Sequence, residues 1–93
     1  MDFEFEWDLE KAGRNIDKHG IAFEEAATLF AIDPNSITLL DPRGDFGEER
    51  YIEIGFSDRG RLLVVVYTER NECIRIISAR RPTPQEARHY DQG

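Results

Sequence analysis

With 93 residues, 40% hydrophobic and 33% charged, the chain has the size and mixture of one globular domain and not of a disordered segment. A single cysteine, Cys73, excludes an internal disulfide, and the longest apolar run, Leu62 to Tyr67, is far too short to cross a membrane. The net charge of −7 argues against a general nucleic-acid binder, but residues 59–81 invert it, with 6 basic side chains against 2 acidic, while residues 1–58 hold 5 against 15.

Phe3, Phe5 and Trp7 alternate with acids, which predicts a short half-buried strand. The opening residues hold no basic stretch followed by an apolar one, so no leader is expected, and a reducing, cytoplasmic setting follows from the cysteine count. Asp8 is placed to cap a helix that carries Leu9, Ala12 and Ile16 at helical spacing and stops at Gly20. A second helix is expected from Ala22 or Phe23 to Phe30, with Phe23, Ala26, Ala27 and Phe30 as its apolar stripe. Asp33-Pro34-Asn35-Ser36 reads as a turn, Ile37 to Leu40 as a strand, and Asp41 to Glu49 as a surface loop.

A β-meander should occupy residues 50–80. Arg50 to Phe56 alternates, and Ser57-Asp58-Arg59-Gly60 is a tight connection. Arg61 to Thr68 is apolar on both faces, which marks a central strand. Glu69 to Glu72 turns the chain into Cys73 to Arg80, and Pro82 and Pro84 end the sheet. Pro84 can begin a closing helix with Glu86, Ala87, Arg88 and Tyr90. The expected class is therefore α+β: a small antiparallel sheet, two N-terminal helices and one C-terminal helix, in one domain over residues 1–93.

Centring the first hairpin between Asp58 and Arg59 puts Arg50 across from Tyr67, and Ile52, Ile54 and Phe56 on the face of Val65, Leu63 and Arg61. Centring the second between Arg70 and Asn71 sets Arg75 opposite Val66, near Glu53. Arg50, Tyr67, Arg70 and Arg75 then cluster. Arg80 and Arg81 lie about 20 Å from the Arg70 end, six or seven residues along the strand. Arg59 and Arg61 read as solubilising turn residues. Among other chemistries, one cysteine and two histidines, His19 and His89, lack metal-ligand spacing, and no phosphate-binding glycine loop or nucleophile triad is present.

Several segments are linked in order and spacing: Lys11-xxx-Asn15-xx-Lys18-His19-Gly20-Ile21-x-Phe23-Glu24-Glu25-Ala26, Glu49-Arg50, Tyr67-Thr68-x-Arg70, Arg75 to Arg81, and Glu86-xxx-Tyr90. From Trp7-Asp8 to Tyr90 this pattern resembles the BrnT family of type II toxins. The resemblance implies a RelE-like fold and a metal-independent ribonuclease that cleaves RNA and inhibits translation. It implies a BrnA-like ribbon-helix-helix antitoxin bound in a hetero-oligomer, with DNA reached only through that partner. No cofactor is implied. Pro82 after Arg81 departs from the pattern and stiffens the approach to the last helix.

RNA cleavage of this kind needs a base for the 2′-hydroxyl, cations for the phosphate oxygens, and a proton for the leaving 5′-oxygen. Arginine suits the second role, since its planar fork matches phosphate. Arg50, Arg70 and Arg80, inside the family-like segments, are the expected catalytic cations. His19 and Glu49 are the two candidate bases. Lys11, Lys18, Arg75, Arg81 and Tyr90 are expected to hold RNA, with Glu53 as a competing partner for Arg75. The alternative is a protein-interaction domain without chemistry, whose basic strip docks an acidic partner.

Overall fold

The computed structural model describes residues 3–44 and 48–92. The first strand, β1 (Glu4–Glu6), ends one residue before Trp7. The Asp8 carboxylate then accepts the backbone N–H groups of Glu10 at 2.8 Å and Lys11 at 3.1 Å and so opens helix α1 (Leu9–His19). Gly20 closes it at φ 72°, a left-handed conformation that glycine adopts without a steric penalty. Helix α2 (Phe23–Ile32) follows, then β2 (Ile37–Asp41), β3 (Arg50–Phe56), β4 (Leu62–Arg70), β5 (Cys73–Arg80) and α3 (Pro84–Gln92). Every expected element is present. The loop expected over 41–49 lies partly outside the described residues, at 45–47.

The sheet order is β1-β5-β4-β3-β2, antiparallel except for β1, which runs parallel to β5. Strand β4 is central, as its two-sided apolar composition requires. Leu63, Val65 and Tyr67 share a core with Ile21, Phe23, Ala26 and Leu29 from α2 and the turn before it, and with Ile74, Ile76 and Ala79 of β5. Val64 and Val66 point the other way and are equally buried, beside Ile54. On that second face α3 lies against β3, with the Tyr90 and Phe56 rings 5.4 Å apart. Each large side chain fully buried in these layers contributes about 1.5–3 kcal/mol.

Asn15 fastens α1 to the sheet. Its amide nitrogen donates to the carbonyls of Ile21 (2.9 Å) and Ala79 (2.8 Å), and its oxygen accepts the Ala79 N–H at 3.1 Å. One buried side chain thus satisfies the free backbone edge of β5 at Ala79 and the turn between the helices.

The first hairpin departs from the expected register by one residue. Ser57 N–H donates to Arg61 C=O at 2.9 Å, so three residues form the loop, and Gly60 takes φ 73°. Ile52 therefore opposes Val66, and Glu53 opposes Val65. A single-residue slip exchanges the two faces of β3. Tyr51, Glu53 and Gly55 face the helices, while Arg50, Ile52, Ile54 and Phe56 face away. In the second hairpin Asn71 and Glu72 both have positive φ, at 53° and 65°, and Arg70 pairs with Cys73. Arg75 then opposes Thr68 and not Val66. A bulge between Val66 and Tyr67 leaves Ile77 unpaired.

Candidate functional site

The corrected registers place Arg50, Arg70, Arg75 and Arg80 on the sheet face that the two N-terminal helices do not cover. Directly opposed residues share a face, and the pairs Asp41–Arg50, Thr68–Arg75 and Arg75–Glu6 run across the sheet in one row. Thr68 joins the row's two halves, because its hydroxyl donates to the Glu49 carbonyl at 2.7 Å. Arg70 stands beside the row and donates to Glu48 at 2.6 Å. The Arg70 guanidinium holds the Glu48 carboxyl below the usual range, and the charges of Arg50 and Arg75 add to that. Arg70 thus holds this carboxylate directly, and the charges of Arg50 and Arg75 act on it from the adjoining row. The Arg70–Glu48 pair is largely solvated, with 47% and 38% of the two side chains exposed, so it opens at little cost.

Tyr67 does not belong to this group. It faces the helices, with its ring 5.0 Å from Phe30 and its hydroxyl donating to Glu53 at 3.3 Å. Burial pushes its phenol well above the ordinary value. Glu53 does not meet Arg75 either. Its carboxylate is buried on the helix face and takes the hydroxyls of Ser36 and Thr38, each at 2.6 Å. Arg75 pairs with Glu6 of β1 instead, at 2.7 Å. Arg61, expected to be a solubilising turn residue, binds the buried Glu25 through two nitrogens while Ser57 donates to the same acid at 2.6 Å.

Arg80 lies level with Val64, six residues along β4 from Arg70, or about 20 Å at 3.3 Å per residue. Its guanidinium grips both oxygens of Glu86, at 2.7 and 2.8 Å. That grip holds the Glu86 carboxyl down at about 2. Arg81 next to it is exposed, and its carbonyl accepts from Arg80 at 3.2 Å. Tyr90 closes the same end by donating to Asp33 at 2.7 Å, and that carboxylate pushes the phenol up to about 12.

The two candidate bases are not brought together. Glu49 is exposed beside Arg50 and accepts the Tyr51 hydroxyl at 3.0 Å. His19 lies at the end of α1, in a groove with Lys11 and Lys18 against Ile77 and Ser78 of β5.

Asp41 and Arg43 were not singled out from the sequence. Asp41 is 3% exposed at the end of β2, opposite Arg50. It accepts the Arg43 backbone N–H at 2.9 Å and two guanidinium nitrogens at 3.2 and 3.3 Å. Burial raises its pKa, but those bonds and the Arg50 charge outweigh it, so the carboxyl stays below its ordinary value. Asp41 thus anchors the β2 end of the arginine row. The available signal was Asp41-Pro42-Arg43-Gly44, a turn sequence whose aspartate binds its own backbone two residues on.

Residues 7–86 match the family described as "Ribonuclease toxin, BrnT, of type II toxin-antitoxin system". The chain belongs to the BrnT family. The expected α+β arrangement agrees with a solved structure, that of the Brucella abortus ribonuclease toxin BrnT. The two align at a TM-score of 0.63 and 20% identity, over 88% of this chain and 99% of that one. At that identity the likeness concerns the fold. No curated protein sequence matches the chain. Among the described residues of this BrnT-family chain, no helix is long and apolar enough to cross a membrane.

Proposed function

We propose that this chain is the toxin of a type II pair and a metal-independent endoribonuclease that cleaves RNA and inhibits translation in the cytoplasm. A BrnA-like ribbon-helix-helix antitoxin neutralises it in a hetero-oligomer and supplies the only contact with operator DNA. The observation that carries the reading is the solvated Arg70–Glu48 pair beside Arg50 and Arg75 on one sheet face, in a member of a ribonuclease toxin family.

In this reading an RNA phosphate replaces the Glu48 carboxylate. Both are oxyanions, and guanidinium binds each through parallel N–H donors. Arg50 and Arg70 stabilise the charge that grows on the phosphoryl oxygens as the 2′-oxygen attacks. Arg75 and Arg81 hold the flanking strand. Arg80 supports the reaction from a distance by fixing α3, where Tyr90 also lies. Glu49, next to Arg50 in the chain, and His19, at the β5 edge, are the two candidate bases. The exchange also accounts for cleavage by an acidic protein, since RNA meets a local cation cluster and not the net charge.

The test uses purified chain free of antitoxin, single-stranded RNA and EDTA. Products ending in 2′,3′-cyclic phosphate are expected, and Arg50→Ala or Arg70→Ala should lower the rate about 100-fold or more while the fold survives. Glu49→Gln and His19→Gln, compared across pH, identify the base. Absence of cleavage by folded wild-type chain on several RNAs, with and without ribosomes, rejects the enzyme reading. The second reading is a docking domain for an acidic partner. It draws support from the carboxylates that already occupy Arg70, Arg75 and Arg80.

A further inference from the structure

Lys11, Arg14 and Lys18 recur at i, i+3 and i+7 on α1 and so form one stripe along the helix. Opposite them is the outer edge of β5. Strand β1 pairs only with Cys73, Ile74 and Arg75, so that edge is uncovered beyond Arg75. Asn15 fills it at Ala79, and the bulge turns Ile77 out of the ladder. Between stripe and edge lies a groove of about 270 Å³ lined by Lys11, Arg14, Lys18, His19, Ile77 and Ser78, with Asn15 at its floor. Among the described residues no acid lines this groove. Lys11, Arg14 and Lys18 enter no ion pair among the described residues, whereas Arg70, Arg75 and Arg80 each hold a carboxylate.

We propose that this groove binds the phosphate backbone of single-stranded RNA, as a second anchor apart from the arginine row, with Arg14 acting beside Lys11, Lys18 and His19. The proposal rests on the reading that RNA is the substrate. Lys11 and Lys18 are separated by about 10 Å along the helix axis. One phosphate cannot meet both, but a strand that carries a charge on every nucleotide can. Ile77, out of the ladder, offers an apolar surface for a ribose or base. The arginine row and the groove both border β5, so a strand leaving one can continue into the other. Binding here is chiefly electrostatic, because phosphates release counterions when cations neutralise them.

The experiment measures anisotropy of a labelled, non-cleavable 2′-O-methyl oligonucleotide over a salt series. Lys11→Gln/Arg14→Gln is compared with Arg59→Gln/Arg88→Gln, which removes the same charge from exposed sites elsewhere. All four side chains are exposed, and melting curves check that both proteins fold. The groove variant should bind about 10-fold to 100-fold more weakly, with a salt slope shallower by about 1.4, or 0.7 for each lost phosphate contact. Equal losses in the two double variants, or wild-type binding by the groove variant, overturn the proposal. So does polyglutamate binding that the groove variant abolishes while RNA binding is unaffected. If wild-type chain binds the oligonucleotide through the groove but cleaves no RNA, the enzyme reading fails and the groove stands. If it cleaves while the groove variant binds normally, the groove alone fails.

Discussion

Arg80 at the end of β5 and Glu86 in the first turn of α3 are joined by two parallel hydrogen bonds, at 2.7 and 2.8 Å. Glu86 also accepts the Thr83 backbone N–H at 2.8 Å, and the Thr83 hydroxyl accepts the Glu86 N–H at 3.2 Å. That reciprocal pair is a capping box. The last strand is thus tied through one carboxylate to the start of the last helix, across Pro82.

Acid should loosen this joint. The Glu86 carboxyl sits at about 2 in the fold against an ordinary 4.5, because Arg80 stabilises its charged form. A depressed folded pKa contributes stability in full above about 4.5 and loses it as pH falls through 4.5 toward 2. Wild-type chain should therefore lose melting temperature more steeply in that window than Glu86→Gln. At neutral pH the variant should be less stable by about 1–2 kcal/mol, allowing for partial solvent screening. Thermal melts of both proteins from pH 2 to 7 check the sign.

Releasing Arg70 should strengthen RNA binding. Glu48→Gln removes the carboxylate that an RNA phosphate must displace, and it also removes a negative charge near Arg50 and Arg75. An affinity gain of about 2-fold to 10-fold is expected at low salt, shrinking as salt is added. The melting temperature should hardly move, since the pair is solvated. Anisotropy titrations at two ionic strengths measure the gain, and weaker binding by the variant would contradict the displacement step.

Asn15→Ala should be costly although it lies outside the arginine row. It leaves the Ala79 N–H and C=O and the Ile21 C=O without their partner in a buried place. Each unmet group costs about 1–3 kcal/mol, and partial access of water to the vacated space lowers the sum to roughly 2–4 kcal/mol. Urea denaturation reads the loss directly. Asn15→Asp should also destabilise, because a carboxylate cannot donate to the two carbonyls.

Arg61 and Arg59 are close in sequence, but only the replacement of Arg61 should destabilise the fold. Arg61→Gln leaves Glu25 buried with Ser57 as its remaining partner, so the melting temperature should fall by several degrees. Arg59→Gln, at an exposed turn position, should leave it nearly unchanged. Cleavage rates measured well below the transition should be unaffected in both.

Much of the fold was legible because its signals are local. Asp8 before Leu9, Gly20 after His19 and proline at 82 and 84 each act on the few residues around them, and the boundaries they suggested agree with the structure. The run from Leu62 to Tyr67 marked β4 as central because a strand apolar on both faces needs cover on both. Hairpin register was less accessible. Ser57 to Gly60 fits a two-residue and a three-residue loop almost equally well, and Gly60 with positive φ selects the longer one. That single residue moved Glu53 to the face of Tyr67 and Arg50 to the face of Arg75.

The sequence by itself determined which elements form, which strand is central and which residues can carry positive charge. Those properties belong to short windows and to side-chain chemistry. Tertiary structure decided which charges meet. Arg75 found Glu6, 69 residues away along the chain, through the parallel pairing of β1 with β5. Arg70 met Glu48 beside the row that holds Arg50 and Arg75, while Arg80 was drawn to Glu86. Face, register and distant pairing depend on turns and on strands far apart in sequence, and a side chain's electrostatic partner follows from them.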